Sequence, residues 1–342
     1  MDMPPARPDW KTPTIREIAA LAGVGPATVD RVLNNREGVR TKTRQRVLGA
    51  LEKLRQEAGS AEGKTELRLF CDSGEGFNAA MRRAVEEVNR RLPGIVLHDH
   101  YERTSQTDPM VLAREITEHG LEAKGAVVIA REHPAINRAI RRLEAAGVPV
   151  VCLTTDLPSS RRSAYVGNDQ YAAGSVAGLL IGNALEKCEG RRILFVMSEP
   201  FRCQQEREMG FRRTLRNDFP YLRIEERVIV DDDPGNAHAQ FSQYIEANGP
   251  PAAIYNVAGA NRGLARALKD IGRAEETVFV GHELTPHSRL LLEEKVMDYV
   301  ISHDFAAEVA MAARWIREWH QGLRSDPPHT PILVHTRYNC GF

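Results

Sequence analysis

Apolar residues along this chain follow two different periods, and the change between them divides it. Over residues 14–55 they recur at helical spacing. Thr14-Ile15-Arg16-Glu17 is a capping box that opens a helix, and Ile18, Ala19, Leu21 and Ala22 carry it to the turn glycine Gly23. Pro26 opens a second helix at the position where its missing N–H costs nothing, with Val29, Val32 and Leu33 as the expected buried face. A third helix starts near Thr41 and places Val47, Leu48, Leu51 and Leu54 in one stripe that closes a three-helix core. Two short helices joined through a glycine-containing turn predict a helix-turn-helix.

From Leu67 the pattern shortens. Apolar runs at 67–71, 95–101, 125–130, 148–153, 163–167, 192–197, 226–230, 252–257, 277–281, 298–301 and 332–336 read as strands. Between them lie amphipathic stretches at 77–91, 109–119, 134–146, 170–186, 203–216, 235–247, 261–271, 286–294 and 305–321. This alternation predicts an α/β body of doubly wound parallel sheets covered by helices on both faces. Roughly ten strands suit two lobes of about five or six each. The expected order is a disordered arm over 1–13, an all-α helix-turn-helix head over 14–55, a linker over 56–66 and a two-lobed domain over 67–342.

Charge sharpens the division. The chain is formally neutral, yet residues 11–55 hold ten Lys/Arg against four Asp/Glu, a net of +6, while residues 56–342 carry −5. A basic head on an acidic body points to nucleic-acid binding. No apolar run reaches 18 residues, so no membrane span is expected. The opening MDMPPARPDWKTPT lacks the apolar core of a signal peptide, and a cytoplasmic location is expected. Five cysteines stand singly with no C-x-x-C pair, which fits a reducing compartment and argues against zinc. No P-loop, nucleophile elbow or dinucleotide fingerprint occurs, and Gly74-Glu75-Gly76 lacks a third glycine. The chain is therefore not expected to be an enzyme or to carry a cofactor. His98 and His100 share one strand face but lack the further ligands of a metal site.

In a helix-turn-helix the start of the second helix enters the major groove. Pro26, Ala27, Asp30 and Arg31 are the candidates for base contact; Arg31 suits a bidentate pair with guanine and Ala27 a thymine methyl. Thr14, Thr28, Asn34, Arg40 and Thr43 are placed to donate to phosphates, which gives affinity without sequence information.

The stretch TIREIAALAGVGPATVDRVLNNREGVRTKTRQRVLGALEKL resembles the headpiece of the lactose-repressor (LacI) family almost without a gap. Gly25 and Asp30 depart from it, standing where the family usually has serine. Asp30 would repel phosphate but suits a cytosine amino group. The family's next segment is a hinge helix whose leucine wedges into the minor groove. Here Arg55-Gln56-Glu57-Ala58-Gly59-Ser60-Ala61-Glu62-Gly63-Lys64 offers neither the Pro-Asn nor the leucine, and it reads as a flexible polar linker without that wedge.

Later strings are similar to the family's effector domain, which has the fold of periplasmic sugar-binding proteins. They are AYVGNDQYAAG at 164–174, Arg207-Glu208-Met209-Gly210-Phe211, Val280-Gly281-His282-Glu283 and Thr336-Arg337-Tyr338-Asn339. The resemblance implies a transcriptional regulator, expected to be a repressor, that acts as a homodimer or tetramer on double-stranded operator DNA under control of a sugar, polyol or sugar derivative. It also implies three crossings between the lobes, with 72–167 and 302–342 each shared between them. Arg207 and Glu283 fall on effector-binding positions; Phe77 is placed to stack on a sugar face, and Thr154 and His303 match positions where relatives carry Asp and Gln. The family's Asn-Asp after strand 252–256 is absent, and either Asn256 or Asn261 would take its place. The competing reading is a solute-binding receptor module without DNA regulation, against which stand the head and the missing signal peptide.

Overall fold

The computed structural model describes residues 13–33, 36, 38–61, 64–185, 191–198, 201–225, 228–230 and 232–341; the expected arm falls almost wholly outside them. The head is three helices, α1 (Ile15–Ala22), α2 (Pro26–Leu33) and α3 (Thr41–Ala61). The capping box forms as read: Thr14 N donates to Glu17 Oε2 at 2.7 Å and Glu17 N to Thr14 Oγ1 at 3.3 Å. Gly23 ends α1 at φ 62°, a left-handed conformation that suits glycine. Ile18, Ala19, Ala22, Val29, Val32, Val47 and Ala50 make the core. Leu33 and Leu48, expected inside, are 41% and 48% exposed. Each follows a buried valine by one residue, which turns it about 100° away around the helix. The expected linker is also corrected, because α3 continues through Ala61. Arg55, Gln56, Glu57 and Ala58 are good helix formers, and their local preference prevails over the Gly59-Ser60 signal.

Lobe 1 contains β1 (Thr65–Ser73), α4 (Glu75–Arg91), β2 (Ile95–Arg103), α5 (Pro109–Gly120), β3 (Ala126–Ile129), α6 (Pro134–Ala145), β4 (Val150–Leu153) and β5 (Ala164–Val166). Its parallel sheet runs β2-β1-β3-β4-β5. The chain then crosses into lobe 2: α7 (Gln170–Ala184), β6 (Arg192–Met197), α8 (Arg202–Asp218), β7 (Arg223–Ile224), β8 (Val228–Ile229), α9 (Pro234–Asn248), β9 (Ala253–Asn256), α10 (Asn261–Asp270), β10 (Val278–His282), α11 (Pro286–Glu293) and β11 (Tyr299–Ser302). It crosses back as α12 (Phe305–His320), and a third time to place β12 (Leu333–His335) antiparallel on β11. The second sheet runs β12-β11-β10-β9-β6-β7, with β8 also on β6. Three crossings are thus present, and 302–342 serves both lobes. Residues 72–167 do not, because β1 through β5 all lie in the first sheet.

Both lobes repeat one winding: β2 lies outside β1 and β3 returns to its other side, as β7 lies outside β6 and β9 returns to its other side. That reversal opens a crevice at the carboxyl ends of β1 and β3 and of β6 and β9, where doubly wound sheets hold ligands. In lobe 1, α4 and α12 cover one sheet face and α5 and α6 the other. In lobe 2, α9, α10 and α11 lie opposite α7 and α8.

The α7–α8 pair is held backbone to backbone. A Cβ at Gly174 would sit 1.9 Å from Arg207 O, and one at Gly210 would sit 2.0 Å from Tyr171 O. Gly174→Ala is therefore expected to cost at least about 1–3 kcal/mol in urea denaturation, as overpacking does. Gly49→Ala meets nothing within 4 Å on α3 and is expected to add roughly 0.5–1 kcal/mol. Equal effects from the two changes would contradict this packing account.

Candidate functional sites in the head and the interlobe cleft

The head presents the start of α2 to solvent. Pro26, Ala27 and Arg31 are exposed, as is Arg40 before α3, while Thr28, Asp30 and Thr43 are half-buried. Asp30 does not stand alone: its Oδ2 accepts from Arg36 Nη1 at 3.2 Å, which offsets the repulsion an acidic group would offer a phosphate. Thr14 Oγ1 donates to Glu17 Oε2 at 2.9 Å, so a phosphate contact there has to displace a carboxylate. Arg46, unnoticed in the sequence, closes the motif instead of reaching outward; its Nη2 donates to Ala22 O at 2.6 Å. Asn34 lies outside the described residues.

Between the lobes is a cavity of about 520 Å³, within the usual range for small-molecule sites. Its walls come from the carboxyl ends the winding selects: Ser73 and Gly74 after β1, Ile129 of β3 and Thr154 after β4 face Asp232 after β8, Val257 after β9 and His282–Glu283 at β10. The lobes approach closely at the mouth, since a Cβ at Gly74 would lie 2.9 Å from Asp232 Oδ2. Four arginines (83, 103, 207, 262) and four carboxylates (Glu75, Asp232, Asp233, Glu283) line the cavity, so their formal charges cancel.

Phe77, Thr154, Arg207, Asn261 and Glu283 all sit on this wall. Phe77 packs edge-on against Phe305 with ring centroids 5.2 Å apart. Arg207 projects from α8 and is 3% exposed. Its Nε donates to Gln170 Oε1 at 2.8 Å, and its Nη2 lies 3.5 Å from Glu283 Oε1. Thr154 and Glu283 both adopt left-handed backbone, φ 63° and 68°, a cost of about 1–3 kcal/mol each that is typical of functional sites.

Two expected residues lie one layer back. Asn256 is fully buried at the end of β9 and donates from Nδ2 to Asn261 Oδ1 at 2.7 Å; Asn261 in turn donates to His282 O at 3.1 Å. Of the two asparagines, Asn261 faces the cleft and Asn256 orients it. His303 lies behind Glu283, with Nε2 3.3 Å from Glu283 Oε2 and Nδ1 2.7 Å from Glu308 Oε2. The contact with Glu283 is ionic and falls short of a hydrogen bond, so Glu283 Oε2 and His303 Nε2 lack hydrogen-bond partners, as does Thr154 Oγ1. Buried polar atoms are rarely left so. Among the described residues, no group of three or more His, Cys, Asp or Glu is placed to hold a metal, and no helix is long and apolar enough to cross a membrane.

Comparison with known proteins matches this geometry on both parts. Residues 14–55 fit the family of bacterial regulatory proteins, lacI family, and residues 69–322 fit the periplasmic binding protein domain. The chain belongs to the periplasmic binding protein domain family and carries a lacI-family head. A 180-residue stretch is 31% identical to the HTH-type transcriptional regulator MalR of Streptomyces coelicolor, covering 48% of this chain and 49% of that protein. The chain therefore spans about half the length of this curated relative. Among solved structures, the glucose-galactose binding protein GanP from Geobacillus stearothermophilus superposes with TM-score 0.71 at 19% identity, over 81% of this chain and 99% of that one. A solute binding protein from Burkholderia graminis C4D1M in complex with D-arabinose gives 0.73 at 16%, over 81% and 97%. A solute binding protein from Bacillus halodurans C-125 with bound myo-inositol gives 0.70 at 14%, over 81% and 96%. These likenesses show the fold.

Within this family fold, burial disfavours charge on His303, but the carboxylates of Glu308 and Glu283 outweigh it and push its pKa up to about 10. Burial acts the other way on Glu283, yet His303 and Arg207 hold its pKa below the usual carboxylate range. His282 beside them is driven well down, by burial first and then by Arg207 and His303. A group whose folded pKa is raised contributes stability that is complete below its unfolded value and lost as pH rises through the folded one. His303 is thus expected to weaken the fold between pH 6.5 and about 10. Denaturation midpoints of the parent and His303→Gln should converge across that window. Parallel pH profiles for the two would show that His303 is not charged.

Proposed function

We propose that this chain is a DNA-binding transcriptional regulator that works as a dimer and is controlled by a neutral polyhydroxylated effector, a sugar or polyol, held between its lobes. One observation carries the reading: an exposed α2 start bearing Pro26, Ala27 and Arg31 in a segment of net +6, joined to a closed-in cleft with unsatisfied polar atoms. In the head, Arg31 supplies base readout and Arg40 a phosphate contact. Two heads on one dimer match two half-sites of a near-palindromic operator. In the cleft, the Glu283 carboxylate and the Thr154 hydroxyl offer the acceptors and donor that a ligand's hydroxyls need, and Phe77 gives an apolar face to stack on. The cancelling charges of the wall favour an uncharged ligand over a sugar phosphate or acid. The regulator of Streptomyces coelicolor and the sugar-binding structures are consistent with both halves of this reading.

Footprinting on operator DNA is expected to show two symmetric half-sites. Arg31→Ala should cost roughly 1–3 kcal/mol and relax preference at one position per half-site. Arg40→Ala should weaken all sequences alike and flatten the salt dependence. Sequence-blind losses from both would misplace the recognition helix, and no footprint at all would favour a receptor module without DNA regulation.

For the cleft, a thermal-shift panel of neutral sugars, polyols, sugar acids and sugar phosphates is expected to yield stabilisation by an uncharged member, because a ligand that binds only the folded state raises its stability. Thr154→Ala leaves the buried charges intact and removes one hydrogen bond. It should weaken that ligand roughly two- to tenfold. Stabilisation by phosphorylated sugars alone would overturn the charge argument.

A further inference from the structure

The cleft wall uses Glu283, yet the buried groups behind it extend well beyond anything a ligand touches. Glu308 on α12 is completely buried, an expensive place for a carboxylate unless it is paired. Its Oε2 holds His303 Nδ1 at 2.7 Å, and its Oε1 accepts from Thr330 Oγ1. The Thr330 amide in turn donates to Gly167 O at 3.0 Å. These residues are not scattered. Gly167 lies in the first crossing between the lobes, His303 in the second and Thr330 in the third. A second branch starts from Glu283: Arg207, paired with it, bonds Gln170, and Gln170 Nε2 donates to Thr154 O in lobe 1 at 2.8 Å. Glu283 is therefore the node where cleft and crossings meet.

We propose that Glu308 and Thr330 are positioning residues that clamp all three crossings to Glu283, so that the angle between the lobes answers to whatever engages that carboxylate. The part concerning engagement rests on the cleft being the effector site; the clamp itself does not. Three effects make the run effective as a clamp. Charges alternate along it, so each ion is neutralised by its neighbour at low dielectric. Every member but Glu283 is nearly inaccessible to water, and Glu283 and Arg207 are the two on the cavity wall. And the links lead from Glu283 into the second crossing, and from there to the third and the first, so shifting Glu283 strains a crossing instead of a flexible loop. A ligand hydroxyl that donates to Glu283 draws charge away from His303 and loosens the next link.

Three amides report on the crossings: Thr330 N to Gly167 O ties the third to the first, while Thr154 N to Val166 O and Glu283 N to Ile301 O hold the strand ends from which the first and second leave, each at 3.0 Å. Hydrogen exchange on the full-length protein without ligand tests the clamp. Glu308→Gln is expected to accelerate all three about tenfold or more, leaving Ala126 in β3 and Val257 just after β9, strands that lead into no crossing, unchanged. Thr330→Val cuts only the last link and should accelerate the Thr330 amide while the Glu283 amide keeps its rate. Nitrogen NMR of the His303 ring at pH 8 gives a readout that packing alone would not move: both ring nitrogens protonated in the parent and in Thr330→Val, but not in Glu308→Gln. Acceleration spread evenly over the controls, or confined to residues beside the substitution, overturns the proposal. If Glu308→Gln does not fold, Thr330→Val and the parent's ring signature still decide it, and a neutral His303 in the parent sinks the clamp. None of these readouts uses DNA or a sugar, so the clamp and the proposed function fail separately.

Discussion

Burying ions in a protein interior costs several kcal/mol apiece unless each finds an opposite charge and its remaining hydrogen bonds. Arg207, Glu283, His303 and Glu308 meet that demand together, as cation, anion, cation and anion along one line. The arrangement constrains much else. Gly174 and Gly210 let α7 and α8 touch at the backbone, and Arg207 of α8 bonds Gln170 of α7 across that contact. His303 meets Glu308 because the two flank the start of α12, five residues apart. Removing one partner from such a run leaves an uncompensated charge, a loss of about 3–5 kcal/mol in comparable buried pairs.

The elements were legible to the extent that period and length were decisive. Strand β6 was read to the residue, and most helices in the body to within two or three at either end, because β-branched runs and 3.6-residue spacing do not imitate each other over ten or more residues. Short or contested segments were not. Strand β7 is two residues long and carries no period at all. The continuation of α3 was hidden by Gly59-Ser60, and Leu33 and Leu48 were misplaced because a neighbour about 100° around the helix from a buried valine can fall on either side of the face's edge. Assigning 72–167 to both lobes failed for another reason: strand pairing is a non-local property that the local pattern does not encode.

The site divides the same way. Arg207 and Glu283 were legible from the strings around them, and those strings now have physical content. Gly174 and Gly210 are two halves of one helix contact, and the glycine in each is there because a Cβ would strike backbone. Gln170 sat within a quoted string but had no mark of its own. Glu308 and Thr330 were illegible, since what matters about them is a partner 22 residues away on another element. The choice between Asn256 and Asn261 likewise needed the depth of β9, which no spacing reveals.

The path of α12 has a consequence for how the protein comes into being. Val309, Ala312, Ala313, Trp315 and Ile316 belong to the core of lobe 1, yet the last strand of that lobe ends at Val166. Roughly 150 residues of lobe 2 must emerge from the ribosome before the first lobe can seal one face of its sheet. At translation rates of about 5–20 residues per second, the part of that face beyond α4 stays uncovered for roughly 8–30 seconds. The apolar wall formed by Leu67, Leu69, Val127, Val151 and Leu153 is therefore the surface a nascent-chain chaperone would meet, and the second lobe waits longer still, because β12 follows α12 in the chain.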